Sequence, residues 1–550
     1  MFTSTLSAPP LPAGHYANPV IPGFNPDPTI CRVGGDYYVV TSSFEYFPGA
    51  PIYHSRDLVN WRLIGHALHR PSQLALDGAA CSAGIYAPTL RHHDGVFYLV
   101  TTLAGVLVEG AQRGNFIVTA TDPAGPWSEP HWIANAPGID PSLLFDDDGR
   151  AWMHGNFRPA VMRFPAHRDI WVQELDLQTW TLIGERHALL DGAEYYRSGT
   201  LDGGAETGVN NYEAPHLYKK DGAYYLVIAH GGTAHHHAVS LWKSERITGP
   251  YRPNPANPVL THRDLPAEHP LTTTGHADFV QTPGGDWWII YLGKRPLDGR
   301  ARHVLGRETF LTPMDWTGEW PVVNPHGQRG RGELSHALPA LPPAPFPPAP
   351  MRDEFDGPAL DLRWQFLRTP RTQWWSLSEA PGYLRLHLQP ETVDEHSTSA
   401  CLVRRQEHPH CVATLRLRFA PTAGSEEAGL VVLRNKDKHL VFVVARSGDR
   451  DVVRLRVTGG AASGSVTVEA PASGGGGDRF LRVEASGVWY RFSYSANGVD
   501  WCPCGEPVDA SFLGDDEHLF TGTVLGPYAT SNGAPSAAHA DFAWFEYSSR

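Results

Sequence analysis

The chain has 550 residues, 41% hydrophobic and 19% charged, and carries a formal net charge of −13. That length exceeds one ordinary core and that composition excludes a disordered chain, while the acidic balance argues against nucleic acid or an anionic membrane surface as a partner. No apolar run of about 18 residues could cross a membrane as a helix, and 55 Gly and 48 Pro beside 17 Trp, 20 Tyr and 22 Phe point to an all-β protein full of turns.

The first twenty residues have neither a basic nor an apolar leader segment, so a cytoplasmic location is expected. From there to about residue 300 one pattern returns five times: a polar turn rich in Asp and Gly, two positions usually aromatic, then aliphatic or β-branched residues. The copies are Gly35-Asp36-Tyr37-Tyr38, Asp94-Gly95-Val96-Phe97, Asp148-Gly149-Arg150-Ala151-Trp152, Asp221-Gly222-Ala223-Tyr224 and Gly285-Asp286-Trp287-Trp288. Each reads as a tight hairpin leading into a buried strand. The spacing, roughly 53 to 73 residues, suits a four-stranded blade with its loops, so residues 15–336 are predicted to form a five-bladed β-propeller. Short polar segments ending in Trp61, Trp127 and Trp180 read as outer hairpins whose indoles pack between blades.

Residues 337–350 are Pro-rich and cannot build a ladder, so they read as a stiff linker. Beyond them period-two alternation resumes at Ala413–Phe419, Val452–Val457, Arg479–Glu484 and Trp489–Tyr494, with Gly-rich turns such as 474–477. Residues 351–550 are therefore predicted to be a β-sandwich of the jelly-roll, concanavalin-like kind. The six cysteines, Cys31, Cys81, Cys401, Cys411, Cys502 and Cys504, form no zinc or disulfide pattern and read as buried thiols.

In a propeller the innermost strands begin near the axis, where the loops line a shared pocket. Counting back ten or eleven residues from each aromatic pair reaches Asp27, Tyr86, Asp140, Glu213 and His276. Three carboxylates converging on one axis repel one another, a cost that a catalytic role explains better than turn capping by Asp-Pro pairs. One carboxylic acid to protonate a leaving oxygen and one carboxylate to activate water are the requirements of glycoside cleavage. P-loop, HExxH and nucleophile-elbow patterns are absent from the sequence.

The runs Gly23-Phe24-Asn25-Pro26-Asp27-Pro28, Ser43-Phe44-Glu45-Tyr46-Phe47-Pro48-Gly49, Glu213-Ala214-Pro215-His216-Leu217, Gly231-Gly232-Thr233, Gly275-His276-Ala277-Asp278 and Leu305-Gly306-Arg307-Glu308-Thr309 resemble glycoside hydrolase family 43. The resemblance is to its β-xylosidases and α-L-arabinofuranosidases with a C-terminal sandwich, and it spans nearly the whole chain. It implies an exo-acting, inverting hydrolase of short pentose oligosaccharides, with acid and base about 6.5–9.5 Å apart. It implies Asp27 as general base, Glu213 as general acid and Asp140 as the group that tunes and orients the acid. Phe44, Tyr86, Thr233 and Arg307 are implied in sugar binding. Phe520 is implied either on a loop closing the site or as sandwich core. Tyr86 replaces the tryptophan wall of many xylosidases, so its hydroxyl is expected to bear on the choice between xylose and arabinose. His276 is implied either to hold a hydrated Ca2+ or to be a hydrogen-bonded core histidine, and His237 to lie beside the pocket. No organic cofactor is implied, and a homo-oligomer is left open. A non-catalytic carbohydrate-binding propeller and an open-groove endo-arabinanase are the rival readings.

Overall fold

The computed structural model describes residues 11–106, 112–193, 211–299, 302–459, 466–471, 477–514 and 519–550. Nearly all of their regular structure is strand.

Five antiparallel blades follow one another, each built from consecutive strands. Their innermost strands are Thr29–Val33, Gly84–His93, Ile139–Phe145, Glu213–Lys220 and Thr272–Gln281. These five touch in sequence, the last against the first, to close the ring. Each recurring turn joins a blade's first two strands. Val33 pairs with Asp36, His93 with Val96 and Lys220 with Ala223, all across two-residue turns. The aromatic and aliphatic residues after each turn fill apolar seams between neighbouring blades. Trp152, Val172 and Trp242 pack in one such seam, and Tyr225, Phe279 and Tyr291 in the next. Of the three outer tryptophans, Trp127 is buried between blades, while Trp61 and Trp180 are half-buried at seam edges.

The ring is fastened by its own ends. His15–Ala17 pairs with Ser335–Ala337, so Ala337 belongs to this closing ribbon. The Pro-rich stretch after it lies against the propeller, with the Ala344 N–H donated to Asp57 Oδ2 at 2.8 Å and Phe346 under the Arg62 guanidinium.

The remainder folds as two stacked antiparallel sheets, and the expected strands appear as His410–Arg418, Arg450–Thr458, Arg479–Ser486 and Trp489–Ser495. Residues 474–476 of the expected Gly-rich turn lie outside the described residues. One strand of the second sheet comes from the propeller: Tyr46–Phe47 pairs with Phe366 and Leu367. The two domains therefore share a hydrogen-bonded sheet edge as well as an apolar contact. Cys31, Cys401, Cys411 and Cys504 are buried as expected, whereas Cys502 is exposed, because its strand Cys502–Pro503 is a two-residue sheet edge.

Candidate active site

Each innermost strand carries a β-bulge at the axial end. In the third blade Ile139 faces Asn156 and Ser142 faces His154, so Asp140 and Pro141 bulge out between these pairs. The same interruption occurs at Ala87, Ala214 and His276. At Asp27 it is bounded by the Ser42 N–H to Pro26 carbonyl bond and the Thr29–Val40 pair. All five bulged residues are non-glycine residues with left-handed φ: 55° at Asp27, 31° at Ala87, 53° at Asp140, 51° at Ala214 and 49° at His276. Such a conformation costs on the order of 1 kcal/mol or more per residue and clusters at functional sites.

The equivalent positions therefore differ from those expected. Tyr86 and Glu213 each stand one residue ahead of the bulge, at the last paired position, and Ala87 and Ala214 occupy the bulge itself. Counting back from a hairpin cannot see an inserted residue. Tyr86 and Glu213 nonetheless face the common pocket.

Asp27 is surrounded by donors. Arg307 Nη1 donates to its Oδ1 at 3.0 Å, His276 Nδ1 lies 3.2 Å from the same oxygen, and Ser42 Oγ donates to Oδ2 at 2.6 Å. Asp140 has only neutral donors to one oxygen, the Asn156 amide at 2.9 Å and the Ala214 N–H at 3.2 Å. Burial, followed by the charges of Glu213 and Asp27, pushes the Asp140 carboxyl up to about 8. Glu213 is also raised, first by burial and then by Asp27, against the opposing pull of Arg168, whose Nε lies 3.1 Å from Oε1. The Glu213 side chain is 25% exposed, whereas Asp140 is buried, so of the two raised carboxyls Glu213 is the one that a ligand can reach.

Arg307 organises the opposite wall. Its Nη1 also donates to Thr233 Oγ1 at 3.2 Å and its Nε to the Phe520 carbonyl at 3.2 Å. Its guanidinium carbon stands 5.5 Å from the Phe44 ring centre and 5.2 Å from that of Phe520. Phe44, Tyr86 and Phe520 pack on one another with centroid separations of 5.4, 5.8 and 6.1 Å. Phe520 is thus a sandwich residue inserted at the propeller's axis, held by its N–H on Ser82 Oγ at 3.0 Å. The Tyr86 hydroxyl donates to the Ser82 carbonyl at 2.8 Å, which leaves the ring face as its contribution to the pocket.

All nine expected site residues are therefore gathered in one neighbourhood. Sequence reasoning missed Ser42, Asn156, Ser82 and Arg168. Ser42 and Asn156 lie opposite the bulges in countable hairpin register; Ser82 and Arg168 sit in irregular segments, and no pattern announces them. Below the site Asp278 accepts from Arg91, Thr29 and Tyr218, a buried ion pair that plugs the axis. His237 is buried beside His276, and burial holds both imidazoles below their ordinary value. His276 could offer a hydrated calcium only one imidazole nitrogen, so the six to eight oxygens that calcium takes would come mainly from water. The imidazole offers nitrogen, and the Asp27 oxygen beside it already faces the Arg307 cation.

Three buried carboxylates, two of them with raised proton affinity, beside an arginine and an aromatic wall on a propeller axis, define a carbohydrate-cleaving enzyme. Residues 16–321 match the glycosyl hydrolases family 43, and residues 352–548 match the beta xylosidase C-terminal concanavalin A-like domain. The chain belongs to glycosyl hydrolase family 43. It is 38% identical to a non-reducing end alpha-L-arabinofuranosidase of Bacteroides ovatus, over 97% of this chain and 94% of that one. It is also 38% identical to a xylosidase/arabinosidase of Butyrivibrio fibrisolvens, over 96% and 98%. The solved structure of a xylan beta-1,4-xylosidase from Bacillus halodurans superimposes with a TM-score of 0.87 at 34% identity, covering 97% of this chain and 99% of that one.

Proposed function

We propose that this glycosidase is an exo-acting, inverting pentosidase that removes β-D-xylose from the non-reducing end of short xylo-oligosaccharides, with α-L-arabinofuranosides as a second substrate class. Glu213 gives its proton to the glycosidic oxygen as the bond to the anomeric carbon breaks. Asp27 takes a proton from the water that attacks that carbon from the opposite face. The products are the free sugar of inverted configuration and the shortened alcohol, and a further proton exchange with solvent resets both carboxyls. Asp140 acts by orientation: it accepts from the Ala214 N–H next to the acid and from the Asn156 amide, and so fixes the backbone that carries Glu213. Arg307, whose Nη2 makes no hydrogen bond among the described residues, is the donor for a sugar hydroxyl.

The observation that carries the exo reading is the insertion of Phe520 against Phe44, Tyr86 and Arg307, which walls one end of the pocket. The engagement of the Tyr86 hydroxyl by Ser82 favours xylose, since the pocket then presents a flat ring like any other aromatic wall. The names of the relatives, which include both xylosidases and arabinofuranosidases, support the pair of substrates.

The test compares aryl β-D-xylopyranoside with aryl α-L-arabinofuranoside, using Asp27→Ala as the blank and NMR to read the first anomer released. A dominant rate on the xyloside with α-xylose as first product is expected. A dominant arabinofuranoside rate reverses the preference, and release of β-xylose overturns inversion. Glu213→Ala should cut turnover of xylobiose by about 10²–10⁴-fold and that of a dinitrophenyl xyloside far less, because that leaving group needs no proton.

A further inference from the structure

Arg168 comes from the irregular stretch between the second and third strands of the third blade, far in sequence from Glu213. Its Nε lies 3.1 Å from Glu213 Oε1, and its Nη1 donates to Asn156 Oδ1 at 3.4 Å. Asn156 in turn donates its amide to Asp140 Oδ2 at 2.9 Å. One guanidinium thus touches the acid directly and the orienting carboxylate through a single amide.

The backbone on both sides of Arg168 is anchored. His167 is 2% exposed, and its Nε2 stands 3.0 Å from Asp169 Oδ1 and 3.4 Å from Asp191 Oδ1. The Gly192 N–H donates to Asp169 Oδ1 at 3.1 Å, and the Ala193 N–H to Asp191 Oδ1 at 2.8 Å. The Arg168 carbonyl rests against Gly192 so closely that a Cβ there would lie 2.2 Å from the oxygen. Two carboxylates, a buried imidazole and a close backbone contact therefore converge on the residues flanking one arginine. The segment directly after the outer strand Thr181–Leu190, which holds Asp191 and Gly192, serves as its mount.

We propose that Arg168 is a positioning residue for proton transfer by Glu213, held in place by the clasp of His167, Asp169, Asp191 and Gly192. This rests on the reading of Glu213 as the acid. The guanidinium fixes the rotamer of the glutamate and sets how tightly it holds its proton. Charged groups that act on Glu213 are Arg168, Arg158 and Arg307, which favour the carboxylate, and Asp27, which favours the acid; the Glu213 charge in turn raises Asp140. Arg168 is the strongest of the cations. Without it, burial and Asp27 act less opposed, and the glutamate keeps its proton to higher pH.

The experiment is the pH dependence of kcat and KM on xylobiose and on a dinitrophenyl xyloside, for the full-length protein and for Arg168→Gln, Arg168→Lys and Gly192→Ala. Arg168→Gln should move the alkaline limb of kcat on xylobiose upward by about one pH unit. It should also lower kcat at the optimum about tenfold, with KM little changed and the dinitrophenyl substrate much less affected. Arg168→Lys should restore the limb in part. Gly192→Ala, which changes no charge, should shift it in the same direction by displacing the guanidinium. If Arg168→Gln does not fold, the lysine and Gly192 variants carry the test. An alkaline limb identical to that of the parent, or equal losses on both substrates, overturns the proposal. Full xylobiose activity in Glu213→Ala instead overturns the assignment of the acid, which separates the two failures.

Discussion

The three carboxylates share one pocket and differ in what surrounds them. Asp27 faces an arginine, an imidazole and a hydroxyl, whereas Asp140 receives two neutral N–H donors on one oxygen. The consequence for Asp140 is measurable as a change of stability with pH. Its folded carboxyl titrates near 8, but in the unfolded chain it ionises near 4. Between those values the folded state holds the proton more tightly than the unfolded one, so stability falls as pH rises through that window. Asp140→Asn removes the ionising group. Its melting temperature should exceed that of the parent protein, and by more at pH 8 than at pH 4.5, while activity is lost. Thermal melts at the two pH values check this; an equal difference at both excludes the titration as the cause. The residue types at Asp27, Asp140 and Glu213 were legible from the repeat. The unequal surroundings were not, because Arg168 and Ser82 reach the site from segments without periodicity.

At the scale of elements, a bulge repeated five times aims side chains at the axis, and one blade loop meets one sandwich loop there. Gly306, directly before Arg307, and Gly522, two residues after Phe520, lie face to face. A Cβ on Gly522 would stand 2.1 Å from the Leu305 carbonyl oxygen and 2.8 Å from Phe24 Cβ. Only glycine allows the Thr523 N–H to reach the Val304 carbonyl at 3.0 Å and so seat Phe520 against Arg307. Gly522→Ala should lower kcat/KM on xylobiose about 10–100-fold by displacing Phe520, with a modest loss of melting temperature. Unchanged kcat/KM would mean that the sandwich loop is dispensable for turnover. The hairpins and their order were readable because a turn of Asp and Gly before an aromatic pair is a local signal. The bulges were not readable, since an extra residue in one strand leaves that local pattern intact.

Across the whole molecule, the sandwich is part of the active-site architecture. Its sheet takes Tyr46–Phe47 from the propeller as an edge strand, directly after Phe44 and Glu45. Arg368 locks this junction: fully buried, it donates Nε to the Ala79 carbonyl at 2.7 Å and Nη1 to the Ser397 carbonyl at 2.8 Å, and its own N–H goes to the Glu45 carbonyl. Burial raises the Glu45 carboxyl to about 7, and the Arg368 charge opposes that rise. Arg368→Ala leaves the Ala79 and Ser397 carbonyls without their buried donor and removes a charge that opposes the rise of Glu45, and should cost about 2–5 kcal/mol. Urea denaturation read by tryptophan fluorescence measures it; a cost below about 1 kcal/mol would show that the domains hold together without this residue.

By itself the sequence determined the strand-rich class, the five-fold repeat, the alternating second domain and the identities of the acidic residues, because turns, alternation and residue type are properties of short stretches of chain. The tertiary structure decided what surrounds each carboxylate, which loops wall the pocket and how the domains join. Those depend on groups hundreds of residues apart, such as Arg307 with Asp27 and Phe520 with Ser82, whose electrostatic and packing energies exist only once the chain has brought them into contact.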